Sequence, residues 1–378
     1  MNIKSLLLGS AAAMVAASAA QAADAIVYEP EPVEYVRVCD AYGAGFYYIP
    51  GTETCLSIRG YVWMQVGGHG RNNVNDAPSY HYGLALNDGY NVLTRARLNF
   101  DARSDTEWGT LRSYIRVQGT WGTNADGNAT FDQAFLELGG LRIGYTESAF
   151  VNSQNGGASN WGSHSWTGMY YGYQQRHQIG YTFSGNGFAA TLSLEHDDDG
   201  ALGTAGAAAA ADWVPDVVAK VSYNAGWGAV WATLGYDSDM SVAAGRQDEF
   251  GAALGMQYNI PNMNGSNLRL IGYYSSGDNA YGVARIGGFG SAEWSILASY
   301  NHVFTSTFSA SVAFQYNNDH YIAGTSLNSG VDTWAAELSM VWTPVQNFEV
   351  RSELAYQDSD IANSDGTFSG FLRFTRYF

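Results

Sequence analysis

The feature that most constrains this chain is a two-residue alternation of apolar and polar side chains, repeated along most of its length. Phe308, Ala310, Val312, Phe314 and Tyr316 share one face, and Ser309, Ser311, Ala313, Gln315 and Asn317 the other. Phe348, Val350, Ser352, Leu354 and Tyr356 alternate in the same way with Glu349, Arg351, Glu353, Ala355 and Gln357. Successive side chains of a strand point to opposite faces, so this pattern predicts strands with one apolar and one polar surface. Such segments begin near residues 57, 92, 109, 131, 141, 176, 187, 217, 227, 249, 267, 291, 307, 332, 348 and 369. Each runs about ten residues, the length of a tilted strand crossing a bilayer.

The connections alternate in length. Residues 104–108, 139–140, 184–186, 224–226, 261–266, 302–306 and 343–347 are short turns. Residues 68–91, 119–130, 147–175, 196–216, 237–248, 277–290, 318–331 and 358–368 are long ones. A soluble sandwich has no reason to sort its turns, whereas an outer-membrane barrel keeps short turns in the periplasm and long loops outside. The fold expected is all-β, a transmembrane antiparallel barrel of about sixteen strands. Composition agrees: charged residues are 14% of the 378, aromatic residues 14%, and glycines number 45. Past residue 25 no run of about 20 apolar residues exists to make a spanning helix. A formal charge of −17 argues against nucleic acid as a partner, since phosphate binding needs a basic footprint.

Residues 1–22 are expected to be a leader rather than part of the fold. Lys4 supplies a positive start, Leu6, Leu7 and Leu8 open an apolar stretch, and Ala20-Gln21-Ala22 matches a cleavage signature. Export makes the two cysteines, Cys39 and Cys55, an expected disulfide, a clip within a segment 23–56 on the periplasmic side. Residues 57–378 then form the barrel. The chain closes on Phe374 and Phe378, two positions of one alternating strand, which resemble the terminal signal recognised by outer-membrane assembly machinery; Arg376 departs from that pattern.

The opening MNIKSLLLGSAAAMVAASAAQAADAIV, followed by VEYVRVCDAYGAGFYYIPGTETCLSIRGYV, resembles the alphaproteobacterial porins of the Brucella and Rhizobium type. The close match covers residues 1–62, and residues 370–378 also resemble the family's ending. The resemblance implies a homotrimer of 16-stranded barrels, each with its third loop folded into the lumen. It implies a water-filled channel for passive diffusion of small hydrophilic solutes and ions, set among outer-membrane lipid and lipopolysaccharide. A barrel acting as an adhesin or an enzyme is the alternative. No Walker loop, HExxH or CxxC is present, Ser163-His164-Ser165 has no partner acid nearby, and neither cofactor nor metal is expected.

Period-two counting points Arg59, Arg95, Arg97, Arg103, Arg112 and Arg116 inward on the first three strands, since an outward arginine at mid-membrane costs about 2–4 kcal/mol. Together they predict a positive band on one wall. A competing reading has them pair with lumen acids such as Asp101 and Glu137. Further inward acids are expected at Glu293, Glu337, Glu349 and Glu353. The third loop, 147–175, holds a single acid, Glu147, near its start, and is otherwise rich in Asn152, Gln154, Asn155, Trp161, Trp166 and Tyr170. Opposed signs at mouth and neck lead to an expectation of weak ion selectivity.

Overall fold

The computed structural model describes residues 37–70, 89–122, 125–151, 169–197, 213–238, 248–263, 265–283, 289–362 and 365–378. Contacts divide the chain into Met1–Val38 and Cys39–Phe378, and the barrel is the second unit. The expected leader lies outside the described residues.

Sixteen long strands build the barrel among the described residues. They are β1 (Cys55–Gly70), β2 (Gly89–Thr106), β3 (Gly109–Gly122), β4 (Thr130–Leu138), β5 (Leu141–Glu147), β6 (Gln175–Gly185), β7 (Phe188–Glu195) and β8 (Asp216–Ala225). Then come β9 (Gly228–Asp237), β10 (Glu249–Asn259), β11 (Asn267–Ser275), β12 (Phe289–Thr305), β13 (Phe308–Ile322), β14 (Asn328–Val345), β15 (Phe348–Ser359) and β16 (Thr367–Tyr377). Each is antiparallel to the next, and β16 returns to β1, with Tyr377 opposite Tyr61 and Phe368 opposite Gly70. The sheet therefore has no open edge, the condition for a sheet in lipid. Two short pieces join it: Tyr47–Tyr48 pairs with the start of β1, and Ala125–Asp126 with the end of β3.

Side-chain sorting is the reverse of a soluble protein. On β1 the outward Val62 is 47% exposed, while the inward Gln65 is 1% exposed. The outer face is a belt of such residues, including Ile58, Leu98, Leu270 and Leu338, as lipid contact requires. Tight hairpins close the short-turn end. At Asn186-Gly187 both residues have positive φ, 53° and 82°, the two-residue turn whose twist matches that of its strands.

The strands depart from the expected uniform length. β1 has 16 residues, β2 18, β12 17 and β14 18, whereas β5 has 7 and β7 has 8. Ladder pairing continues beyond the apolar band on one side of the barrel: β13 and β14 pair as far as Tyr321 opposite Asn328, so most of the expected loop 318–331 is strand. The first strand starts at Cys55 rather than 57, because Leu56 and Cys55 pair with Tyr47 and Tyr48. The Cys39–Cys55 disulfide is formed, with Cα atoms 6.0 Å apart. It holds Phe46 and Tyr48 inside the short-turn end of the barrel, where Arg59 donates to the Ala44 carbonyl at 2.7 Å and Tyr42 donates to Asp105 at 2.7 Å.

The chain's last residue completes closure. Gly60 and Phe378 exchange backbone hydrogen bonds of 2.9 and 3.0 Å, and both Phe374 and Phe378 face outward. A Cβ on Gly60 would lie 2.2 Å from the Arg97 carbonyl oxygen and 2.9 Å from the Phe378 ring. Gly60→Val should therefore destabilise the closed barrel by about 1–3 kcal/mol, the usual penalty for overpacking. Gly68→Ala, where the added atom would meet nothing nearer than 3.8 Å, should be tolerated. The fraction of refolded protein that migrates as a compact species on unheated gels measures both, and equal fractions would contradict the closure argument.

Candidate functional site

The inner surface of β16 and β1–β5 carries a sheet of guanidinium groups interleaved with aromatic rings. The Arg97 guanidinium lies 5.1 Å from the Tyr61 ring centre, and Arg95 and Arg373 lie 5.2 and 4.9 Å from that of Trp63. Arg112 lies 5.0 Å from Tyr114 and 5.3 Å from Phe135. Arginine suits this wall because its planar, weakly hydrated group stacks on rings and stays charged when crowded.

The wall is not an open positive band, which corrects that expectation for Arg112 and its neighbours. Asp101 accepts from Arg103 at 2.7 Å and from Arg112 at 2.9 Å; Glu137 accepts from Arg112 at 2.8 Å and from Arg142 at 2.6 Å. Charges alternate along this chain of five side chains across β2, β3, β4 and β5. Like-charged guanidiniums on adjacent strands repel, and carboxylates placed between them relieve that repulsion. The competing reading, pairing with Asp101 and Glu137, describes Arg112.

Deeper along the same wall Arg97 and Arg116 share Asp132, at 3.6 and 3.3 Å. Gln118 ties them together: Arg97 donates to its carbonyl at 2.9 Å, and its amide donates to Asp132 at 2.9 Å. Asp132 escapes period-two counting, which would send it outward with Ala134 and Leu136. A bulge between Arg116 and Val117 sets Gln133 opposite Arg116 and Phe131 opposite Val117, leaving Asp132 as the extra residue. Arg95 donates to Thr120 at 2.8 Å, and Arg59 to Ser57 at 3.1 Å.

The opposite wall is covered by loop. Glu147 ends β5, and its carbonyl accepts from Gln178 at 2.8 Å. The described arms of the third loop, residues 148–151 and 169–174, run into the lumen. Met169 is fully buried; Tyr170 donates to Gln315 at 2.6 Å and accepts from it at 2.7 Å; the Tyr171 carbonyl accepts from Tyr273 at 3.4 Å. Ala149, Phe150 and Val151 pack against inward side chains such as Trp231, Ile271 and Leu297. Tyr173 comes within electrostatic reach of the Arg97–Asp132–Arg116 group; burial, then Asp132 and Glu147, push its phenol up to about 12. Asn152, Gln154, Asn155, Trp161 and Trp166, and with them Ser163-His164-Ser165, lie outside the described residues.

The later acids are also inside. Glu349 and Glu353 flank Arg351, at 3.1 and 3.5 Å, and Glu353 accepts from Ser339 at 3.2 Å. Glu337 is 4% exposed on the inner face of β14, and Glu293 accepts from Asn328 at 3.2 Å. Sequence reasoning missed Arg142 and Arg373, although parity would have found them: Arg373 falls two positions from Phe371 and Thr375 on the face opposite Phe374. Nothing in the alternation announces Asp132.

A closed barrel of sixteen strands, with a loop folded inside and a charged inner wall, is the architecture of a diffusion channel. The family described as "Porin subfamily" matches residues 24–373. The chain belongs to the porin family. Porin Omp2b of Brucella suis is 34% identical over the whole of both chains, as is Porin Omp2b of Brucella abortus. Among solved structures, the outer membrane channel DcaP of Acinetobacter baumannii superposes with a TM-score of 0.68 at 14% identity, over 88% of this chain and 99% of that one. The anion-selective porin from Comamonas acidovorans gives 0.60 at 14% identity, over 86% and 100%. This porin is thus an outer-membrane channel for passive diffusion.

The ion-pair chain in its wall should be measurable. A double-mutant cycle of Asp101→Ala and Arg112→Ala is expected to return a coupling of about 1–3 kcal/mol, the range for hydrogen bonds between charged groups. Urea unfolding in lipid vesicles gives the four free energies; strictly additive losses would show that the pair contributes nothing.

Proposed function

We propose that this porin passes small hydrophilic solutes with weak ion selectivity, and that the selectivity is set where Arg97 and Arg116 share Asp132. That shared carboxylate carries the reading. Two guanidiniums against one carboxylate leave a local surplus of one positive charge, in a chain whose formal charge is −17. The global charge draws cations to the mouth and the local surplus favours anions at the neck, so the two oppose each other. Screening over about 8 Å at physiological salt weakens the outer charges more than the inner ones. Arg95 and Arg59 extend the basic face towards either end, while Arg112, held between Asp101 and Glu137, contributes less to the field than its charge alone suggests.

The reading extends to assembly. Residues 1–22 direct export and are removed, and the Cys39–Cys55 clip lies at the periplasmic mouth. Phe374 and Phe378 serve as the signal for the assembly machinery, and the barrels associate as homotrimers among lipid and lipopolysaccharide. The supports are the cleavage signature, the burial of Phe46 at the short-turn end, the outward terminal ring, and the family. OmpT of Vibrio cholerae, a structural neighbour with a TM-score of 0.54 at 11% identity, over 86% of this chain and 100% of that one, is described in a trimer form.

Zero-current potentials across a salt gradient test the neck. Arg97→Ser with Arg116→Ser should move the potential towards cation preference, since Asp132 then stands alone. Asp132→Asn should move it the other way. Potentials unchanged in both variants would place the selectivity elsewhere.

A further inference from the structure

A second loop enters this barrel. Residues 276–283, leaving β11, turn back into the lumen as a hydrogen-bonded unit. Asp278 accepts from the backbone of Ser291 at 2.9 Å and of Gly324 at 2.7 Å. Asn279 donates to Ser275 at 2.8 Å and accepts from the Tyr281 amide at 2.9 Å, and Ala280 donates its amide proton to Asp237 at 2.7 Å.

This turn drives the Tyr281 ring into a slot in the wall. Gly235 on β9 and Gly251 on β10 are register partners, and a Cβ on either would lie 2.4 or 2.7 Å from Tyr281 atoms. Tyr281 is 1% exposed. Its hydroxyl is 3.2 Å from both Glu195 and Asp216. Burial, then those two carboxylates, push its phenol well above the ordinary value, so the hydroxyl remains a donor.

The same side chains reach the third loop. Glu195 accepts from the Ala149 amide at 2.9 Å, and the Phe150 ring lies 5.3 Å from that of Tyr281. The other arm passes through Gly172, at φ 83°, where a Cβ would meet Val151 at 3.2 Å and Val283 at 3.3 Å. The next residue is Tyr173, whose hydroxyl accepts from Gln175 at the start of β6 at 2.7 Å and feels the charges of Asp132, Arg116 and Arg97. One continuous packing path thus runs from the Gly235/Gly251 slot to the arm that carries the Tyr173 phenol.

We propose that Tyr281 and Val283, from the loop after β11, are positioning residues that set how far the arm carrying Tyr173 projects towards the Arg97–Asp132–Arg116 group, and so set the aperture and ion preference of the channel. The proposal rests on the reading of the lumen at that group as the conducting neck. A Tyr281 that merely filled space would matter to stability alone. A positioning Tyr281 changes current as well, because a barrel wall that stays closed while its inner loop shifts changes only the neck.

Single-channel recording of the full-length protein in planar bilayers distinguishes the two. Tyr281→Ala should raise the conductance step by roughly half and shift the zero-current potential, with the barrel still folded on unheated gels. Gly235→Val, which keeps the tyrosine but fills its slot, should move conductance and potential away from wild type. Tyr281→Phe, which keeps the ring in place, should restore most of the wild-type step. If Tyr281→Ala fails to fold, Gly235→Ala decides by the same readings. Folded variants with wild-type conductance and potential would overturn the proposal while leaving the diffusion channel intact. No channels from the wild-type protein would instead remove the diffusion reading, and this inference with it.

Discussion

Every backbone amide and carbonyl that crosses a hydrocarbon layer must find its partner within the protein. The rest of this molecule follows from that constraint. A sheet can satisfy it only by closing, and closing fixes which side chains face lipid and which face the lumen, because parity along each strand can no longer drift. The seam shows how little slack is left. Gly60 gives up its side chain so that the Arg97 carbonyl and the ring of Phe378 can both approach it, and the final residue of the chain supplies the last pair of hydrogen bonds. A larger residue at Gly60 would disturb the strand that carries Arg59 and Trp63, and with it the inner wall.

Closure also concentrates polar residues in a small interior. Outward arginine is costly, so the basic residues of β2 and β3 turn inward together and face one another. Crowded guanidiniums then need counter-charges, and the structure supplies them in two patterns. Asp101 and Glu137 alternate with Arg103, Arg112 and Arg142, so that three guanidiniums are held by two carboxylates. Asp132 serves two arginines at once and leaves a surplus. In both patterns a carboxylate stands between neighbouring guanidiniums.

Most of the barrel was legible because period two is set by backbone geometry alone. The starts of β3, β5, β10, β11 and β15 fall where the alternation begins, at residues 109, 141, 249, 267 and 348. Lengths were less legible, since ladder pairing beyond the lipid band needs no apolar face: β14 begins at Asn328, before the pattern becomes regular. The site was legible where parity holds, as at Arg95, Arg97, Arg112 and Arg116, and illegible where parity breaks. Asp132 points inward only because a bulge adds a residue, and a bulge needs no signature residue. The pairing of Arg112, with Glu137 directly opposite and Asp101 on the diagonal, depends on which residues meet across three strands, a matter of register that alternation does not specify.

The glycines on the inner wall explain why loops can occupy it. A 16-stranded barrel encloses more space than its own side chains fill, so part of the lumen goes to water or to inserted chain. Here the division is uneven. On β16 and β1–β5 long arginines and aromatic rings stand up from the wall, and the chain that reaches in beside them is the disulfide-clipped stretch whose Phe46 ring lies 5.8 Å from Arg59 and 5.2 Å from Arg103. On β8–β14 the inward residues near the loops are small or flat, Ala229, Gly235, Gly251, Ala253, Ala313 and Ala335 among them. The third loop and the loop after β11 lie against the second wall, and there Met169, Phe150 and Tyr281 bury apolar surface that water would otherwise cover. Where the two loops settle is therefore decided by the absence of side-chain volume on the wall that accepts them.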